Sequence, residues 1–206
     1  MRVQETPVSS AITRRRSVRK FARLAVDGDT IERLVALACS APAPHHSRPW
    51  RFVKITSDAA RERLSDAMAG AWRADLERES ESVHTIDRLL GRSRRQLAEA
   101  PVLLVACLNL VDARPWPDAT RQRAERDMFV QSLGAALQNL LLAAGESGLA
   151  GYLKGAPLFC ADAVRQALDL PPDWAPAFLV LLGYPEQQAQ QSPRDPVELE
   201  DFLIER

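Results

Sequence analysis

The chain has 206 residues, with 27 basic and 27 acidic side chains, three histidines and three cysteines. That length suits one domain, and 46% hydrophobic with 26% charged residues is ordinary globular usage, which excludes wholesale disorder. The zero formal charge excludes a general nucleic-acid binder, and three cysteines scattered at 39, 107 and 160 exclude a disulfide framework or zinc site.

In chain order, Ser9 or Ser10 caps a short first helix running into Arg14-Arg15-Arg16. Asp29 and Glu32 form a capping pair for a second helix, on which Ile31, Leu34, Val35 and Ala38 repeat at helical spacing until Pro42. Ala41 to Pro49 holds three prolines and two histidines and reads as a shaped loop, followed by a strand over Trp50–Thr56. Asp58–Glu99 is helical, with Leu64, Met68, Trp72 and Leu76 at four-residue spacing and breaks expected at Ser80–Ser82 and at Gly91. Its charged middle, residues 73–95, is expected to be a mobile helical excursion or lid.

Pro101–Leu110 is an almost unbroken apolar run, the pattern of a strand covered on both faces. A proline-flanked loop over Ala113–Asp118 then leads into a long helix. Its stripe of Phe129, Leu133, Ala136, Leu137, Leu140, Leu141 and Ala144 is broad enough for a central or interface position. Gly145, Gly148, Gly151 and Gly155 mark a loop, and Ala161–Leu168 a further helix. Ala177–Leu182 is a second buried strand, Gln187–Ser192 a polar linker, and Val197–Ile204 a terminal helix or strand. Helices mixed irregularly with few strands give an α+β sandwich as a single domain over 1–206.

Leu133–Ala144 is interrupted by Gln138 and Asn139, short of the ~18 apolar residues of a membrane span, and Met1–Thr13 lacks a signal-peptide core. The expectation is a cytoplasmic protein with reduced, buried thiols. GxGxxG, GxxxxGK[ST], GxSxG and HExxH are all missing, so a redox cofactor here would not sit on a doubly wound sheet.

Four segments carry chemistry. In Arg14-Arg15-Arg16-Ser17-Val18-Arg19-Lys20, five of seven residues are basic. Guanidinium forks and a hydroxyl match a phosphate monoester; a solvated helix C-terminus would use the same cations. Pro44-His45-His46-Ser47-Arg48-Pro49 presents donors from a stiff loop, useful beside a planar ring, or is a turn before a strand. Two adjacent histidines without a further ligand make a poor metal site. Gly148–Gly155 permits close backbone approach to a ligand with Lys154 supplying charge, or simply ends a helix. Arg194, in Pro193-Arg194-Asp195-Pro196, is a lone cation on a rigid turn.

In this order the four segments resemble the flavin-dependent nitroreductase family over nearly the whole chain. APAPHHSRPWRFV, the Asp127-Met128-Phe129 start of the long helix, DLPPDW and RDPVELEDFLI resemble one branch more narrowly. That branch is the reductase domain of the bifunctional coenzyme F-420:glutamate ligase. It commonly has Cys-Trp-Ile before the glycine at 155, where this chain has Tyr152-Leu153-Lys154.

The resemblance implies a nitroreductase-like α/β sandwich, a mostly antiparallel central sheet flanked by helices, assembled as an intertwined homodimer with FMN at the subunit interface. Arg15, Arg16, Ser17 and Arg19 match the first FMN-binding motif, with phosphate, ribityl chain and pyrimidine edge as partners. Pro44, His45, His46 and Ser47 match the loop laid beside the flavin by the neighbouring subunit. Leu153, Lys154 and Gly155 match the backbone approach to the ring, and Arg194 a late phosphate ligand. No side-chain nucleophile is implied. Arg48 and Arg51, with Lys154, are candidate contacts for a small-molecule acceptor. The expected reaction is reduction of the dehydro precursor of the deazaflavin coenzyme F-420, with NAD(P)H as a possible donor and a separate glutamate ligase as a possible partner. The alternatives are a general NAD(P)H-dependent nitro- or quinone reductase and a non-catalytic flavin-binding protein; neither nucleic acid nor membrane is expected as a partner.

Overall fold

The two apolar runs read as covered strands pair with each other at the centre of a four-stranded antiparallel sheet. The computed structural model describes residues 6–186 and 196–206. The strands are β1 (Trp50–Lys54), β2 (Val102–Asn109), β3 (Ala150–Lys154) and β4 (Trp174–Gly183), in the order β1-β2-β4-β3. The helices are α1 (Pro7–Arg14), α2 (Gly28–Ala38), α3 (Asp58–Arg78), α4 (Val83–Glu99), α5 (Ala119–Glu146) and α6 (Ala161–Ala167).

Strand alternation sorts the core into two layers. Leu104, Ala106, Leu108, Val180 and Leu182 pack with Leu34 of α2 and with Phe129, Leu133, Leu137 and Leu140 of α5. Leu103, Val105, Cys107, Leu179 and Leu181 pack on the other face against Leu64 and Met68 of α3, Leu97 of α4 and Val164 of α6. β2 is buried at every position, as its continuous apolar pattern predicts. Pro176 of β4 sits at the register shift between Ala106 and Cys107, where a residue without an N–H interrupts the ladder least. The whole predicted α5 stripe is buried, and its position is central. An 18-residue window of α5 reaches a mean hydropathy of 1.3, with 44% of it buried in the fold; this is the profile of a core helix.

Several local expectations are corrected. Thr6, not Ser9 or Ser10, caps α1, with Ser9 completing the reciprocal capping box. Asp27 caps α2 by accepting from the Thr30 N–H at 3.1 Å, two residues before the expected pair. The break at Ser80–Ser82 occurs between α3 and α4, but Gly91 lies inside α4. There Ile86, Leu90 and Leu97 are buried, and tertiary packing outweighs the modest helix penalty of one glycine. β4 is longer than expected, and Val197–Ile204 contains only a 3-10 turn at Leu199–Asp201. All three cysteines are free, but only Cys107 is buried; Cys39 and Cys160 are half-buried. The expected linker at 187–192 lies outside the described residues.

The largest correction is β3, read from its glycines as part of a loop. Gly151 is a packing requirement: a Cβ there would collide with Leu141 Cδ2 and lie 2.9 Å from Leu182 Cδ2, both on buried leucines. Only a bare backbone lets β3 close against α5 beside β4.

Candidate functional site

After α1 the chain runs alongside β3. Ser17 forms a parallel bridge with Gly151, the Val18 N–H donates to the Gly151 carbonyl at 3.1 Å, and Phe21 pairs antiparallel with Pro185. This lane closes a cleft of about 420 Å³ between α1, the C-terminal end of α5 and the start of β3. Arg14, Arg15 and Arg16 line it against a single carboxylate, Glu146, so its field favours an anion. The Arg16 guanidinium is anchored through one terminal nitrogen to the carbonyls of Thr13 (2.6 Å) and Arg15 (3.1 Å). Its Nε is buried with no hydrogen-bond partner among the described residues. A buried donor left over in this way calls for an acceptor beyond the described residues.

Arg19 stands apart from the cleft, its guanidinium stacked 4.5 Å from the centroid of the Tyr152 ring. Alternation along β3 turns Leu153 toward the α5 layer, and Tyr152 toward the α3–α6 layer. Lys154, two residues after Tyr152, reaches the same side and donates to Ser93 Oγ of α4 at 2.5 Å. Burial, with the like charge of Arg92 adding to it, pushes the Lys154 ammonium down to about 8. Gly155 follows directly and opens a 3-10 turn over Ala156–Phe159.

The Pro44–Ser47 loop is elsewhere, against the N-terminal half of α5. His45 and His46 both occupy the left-handed region, with φ of 56° and 53°. That conformation costs a non-glycine residue roughly 1–2 kcal/mol. Ser47 Oγ closes the turn onto the Pro44 carbonyl at 2.7 Å. His45 Nε2 lies 3.1 Å from Glu125 Oε1, beside the ring of Phe129. The same carboxylate accepts from the Arg114 N–H at 2.9 Å and from Trp116 Nε1 at 3.2 Å. These bonds, the Arg114 amide first and Trp116 next, hold the Glu125 carboxyl below the ordinary carboxylate range. An ionised carboxylate only accepts, so Nε2 of His45 carries a proton in this contact.

The structure therefore gathers Arg15, Arg16 and Ser17 with Gly151, and sets Leu153, Lys154 and Gly155 on the continuation of the same strand. It does not bring Pro44, His45, His46 and Ser47 to them within one chain. Glu125 and Leu141 are sixteen positions apart on α5, which at 1.5 Å per residue separates the two groups by about 24 Å. Arg48 is exposed, and Arg51 folds back onto the carbonyls of Arg48 (3.0 Å) and Trp50 (2.9 Å), with Trp174 beneath it. Arg194 lies outside the described residues.

Two contributors were missed from the sequence. Glu125 falls four residues before Phe129, on the apolar stripe of α5, and a carboxylate on such a stripe was the available signal. Ser93 carried none, because its role depends on α4 crossing β3. No group of three or more potential metal ligands occurs among the described residues.

The model of the nitroreductase family matches residues 12–184. The chain is 32% identical to 5,6-dimethylbenzimidazole synthase of Rhodospirillum rubrum over 180 residues, covering 84% of this chain and 80% of that protein. A BluB-like flavoprotein of Clostridium difficile superposes with a TM-score of 0.77 at 24% identity, over 98% of this chain and all of that one. A Desulfovibrio desulfuricans protein solved with FMN bound superposes at 0.73 with 25% identity, over 98% of both chains.

Proposed function

Because the chain belongs to the nitroreductase family of flavin-dependent oxidoreductases, we propose that it binds FMN in the Arg15–Gly151 cleft and reduces the dehydro precursor of coenzyme F-420. The observation that carries the cofactor assignment is the unsatisfied, buried Nε of Arg16 in a cleft where three arginines face one carboxylate. Bound FMN supplies the hydride chemistry, which no side chain here needs to perform. Arg15, Arg16 and Ser17 hold the phosphate and the ribityl chain. Arg19, braced on Tyr152, supplies positive charge to the pyrimidine edge, where negative charge develops on reduction. Arg194 adds to the phosphate ligands, and the backbone of Leu153–Gly155 borders the ring.

The reading includes an intertwined homodimer. The ~24 Å along α5 between the arginine cleft and the histidine loop is what a two-subunit site requires. The loop of one subunit then serves the flavin of the other, with Pro44, His45, His46 and Ser47 beside the ring. The F-420 assignment rests on APAPHHSRPWRFV, DLPPDW and RDPVELEDFLI, and on the loop that Glu125 shapes. Arg48 and Arg51 are proposed contacts for the acceptor. The ligase activity of the bifunctional enzyme would come from a separate protein.

The test begins with the absorption spectrum of the purified protein and the mass of the released chromophore. One FMN per subunit and a dimer by light scattering support the reading; a colourless protein that fails to take up FMN overturns it. Anaerobic reduction by NADH or NADPH, followed by reoxidation with the dehydro precursor or with a nitroaromatic, separates the specific reductase from a general one. A flavin that no donor bleaches would favour a non-catalytic flavin-binding protein. The 32% identity to 5,6-dimethylbenzimidazole synthase supports a second reading. Release of dimethylbenzimidazole from the reduced protein in air would establish it.

A further inference from the structure

A second cavity, of about 380 Å³, opens between α3, α4 and the turn that joins β3 to α6. Met68, Trp72, Ala156 and Phe159 make its apolar walls, and its polar groups are Lys154 of β3, Ser93 of α4 and the carboxylates of Asp75 and Glu79. Phe159 is 85% exposed, an unusual state for a phenylalanine beside an apolar cavity. Lys154 is the only basic side chain lining the cavity among the described residues, and it donates to a neutral hydroxyl, that of Ser93. Asp75 of α3 and Glu79 at its C-cap line the same cavity, yet neither forms an ion pair with the ammonium. Asp75 is instead paired with Arg78.

A cation drawn out of water without a counter-charge is unfavourable, and an incoming anion restores what burial removed. The apolar walls select for a flat, hydrophobic body, and the single cation selects for one negative group on it. We propose that this cavity binds a planar aromatic carboxylate, stacked between Trp72 and Phe159, with Lys154 as the residue that selects its charge. The inference deepens the oxidoreductase reading by naming a class of ligand, and rests on that reading only for what becomes of the bound molecule. Lys154 borders the proposed flavin site through Gly155, so the ligand would sit next to the redox centre.

Isothermal titration of the oxidised protein as purified, without a reductant, reads binding apart from turnover. The probes are 4-nitrobenzoate and its neutral counterpart nitrobenzene. The carboxylate should bind about tenfold more tightly, the size of one charge-assisted contact. Lys154→Met should erase this preference and Lys154→Arg should keep it. Equal affinities in the unmodified protein, or a preference that survives in Lys154→Met, would overturn the proposal.

If Lys154→Met does not fold by circular dichroism, a pH series on the unmodified protein decides. The preference should fade as pH rises well past 8 and Lys154 discharges. The other charged or titratable groups around it are Arg92 on α4, Asp75 on α3, Glu79 at the α3 C-cap and Cys160 at the α6 N-cap. Of these, the Cys160 thiol is held up by burial and by Asp75. A preference constant up to strongly alkaline pH overturns the assignment. Flavin absorbance recorded in parallel keeps the two proposals apart. A colourless protein with the preference breaks the flavin reading alone, and a flavin-loaded protein without it breaks this one alone.

Discussion

Glu125 and Arg16 lie near opposite ends of the same helix, and their polar atoms are satisfied in opposite ways. Glu125 is 2% exposed, and its two oxygens take donors from His45, Arg114 and Trp116. That arrangement is complete within the chain, and what it accomplishes is to hold a histidine loop in a left-handed backbone. At the other end, three arginines gather round a cleft and a buried Nε finds no acceptor among the described residues. The first shapes a surface, and the second leaves a donor open, as the proposed anion site needs. Both are polar clusters seated against apolar core, so composition alone does not distinguish them; the state of each hydrogen-bonding group does.

The comparison breaks most severely at Gly151, because the arginine cleft depends on β3 lying flush against α5. Gly151→Val places branched carbon where Leu141 and Leu182 already stand. We expect a loss of about 3 kcal/mol, the upper end for overpacking a core, and a melting temperature lower by roughly 6–12 °C. An unchanged melting temperature would show that β3 can move away from α5 and that the cleft is not rigidly built.

Arg16→Met tests the leftover donor directly. The substitution removes a charge-assisted contact worth about 1.5–3 kcal/mol to a bound anion, so FMN affinity should fall roughly 10- to 100-fold. Thermal stability of the flavin-free protein should fall by no more than the two exposed or half-buried bonds to the Thr13 and Arg15 carbonyls contribute, about 1–2 kcal/mol, since Nε makes no bond among the described residues. Unaltered FMN affinity would return the basic run to its plainer role as a solvated helix end.

Much of this organisation was legible in the sequence, for reasons that also explain the misses. The α5 stripe and the continuous run of β2 announce themselves because burial on one face or on both leaves a periodic trace. The arginine motif and the proline-histidine loop stand out because their chemistry is local. β3 was illegible because its glycine signals a turn by propensity, while its real cause is a collision with Leu141 from a distant helix. Asp27 was overlooked because Asp29 and Glu32 offered a better-matched local pair, although the backbone turns two residues earlier. Glu125 was in view as a charge on an apolar stripe, but its partners come from two loops that only the fold brings together.

The satisfied end makes its own prediction. Glu125 is held below its ordinary value of 4.5, so its ionised form is favoured in the folded state. Its contribution to stability is therefore present above pH 4.5 and lost as pH falls through the depressed folded value. Glu125→Gln keeps the shape but swaps one acceptor for an amide that opposes the incoming donors. Its melting temperature should lie below that of the unmodified protein at neutral pH, and the gap should close in the acid range. A gap independent of pH would mean that the carboxylate acts through packing and not through charge.

The smallest effect, and the one that sharpens the comparison most, belongs to His46. Its φ of 53° is strained for a histidine and it has no hydrogen bond or ion pair within the described residues, unlike His45, whose ring is fixed by Glu125. His46→Gly relieves the strain and should stabilise the folded chain by up to ~1 kcal/mol, less the greater freedom gained by the unfolded chain. The melting temperature should then hold or rise by about 2–4 °C, while flavin reduction slows if the imidazole lies beside the ring of a second subunit. Strain that is kept although a glycine would remove it is strain retained for what the side chain contacts. A lower melting temperature would place the function of His46 inside its own chain, and the histidine loop would then be a structural turn at both of its central residues.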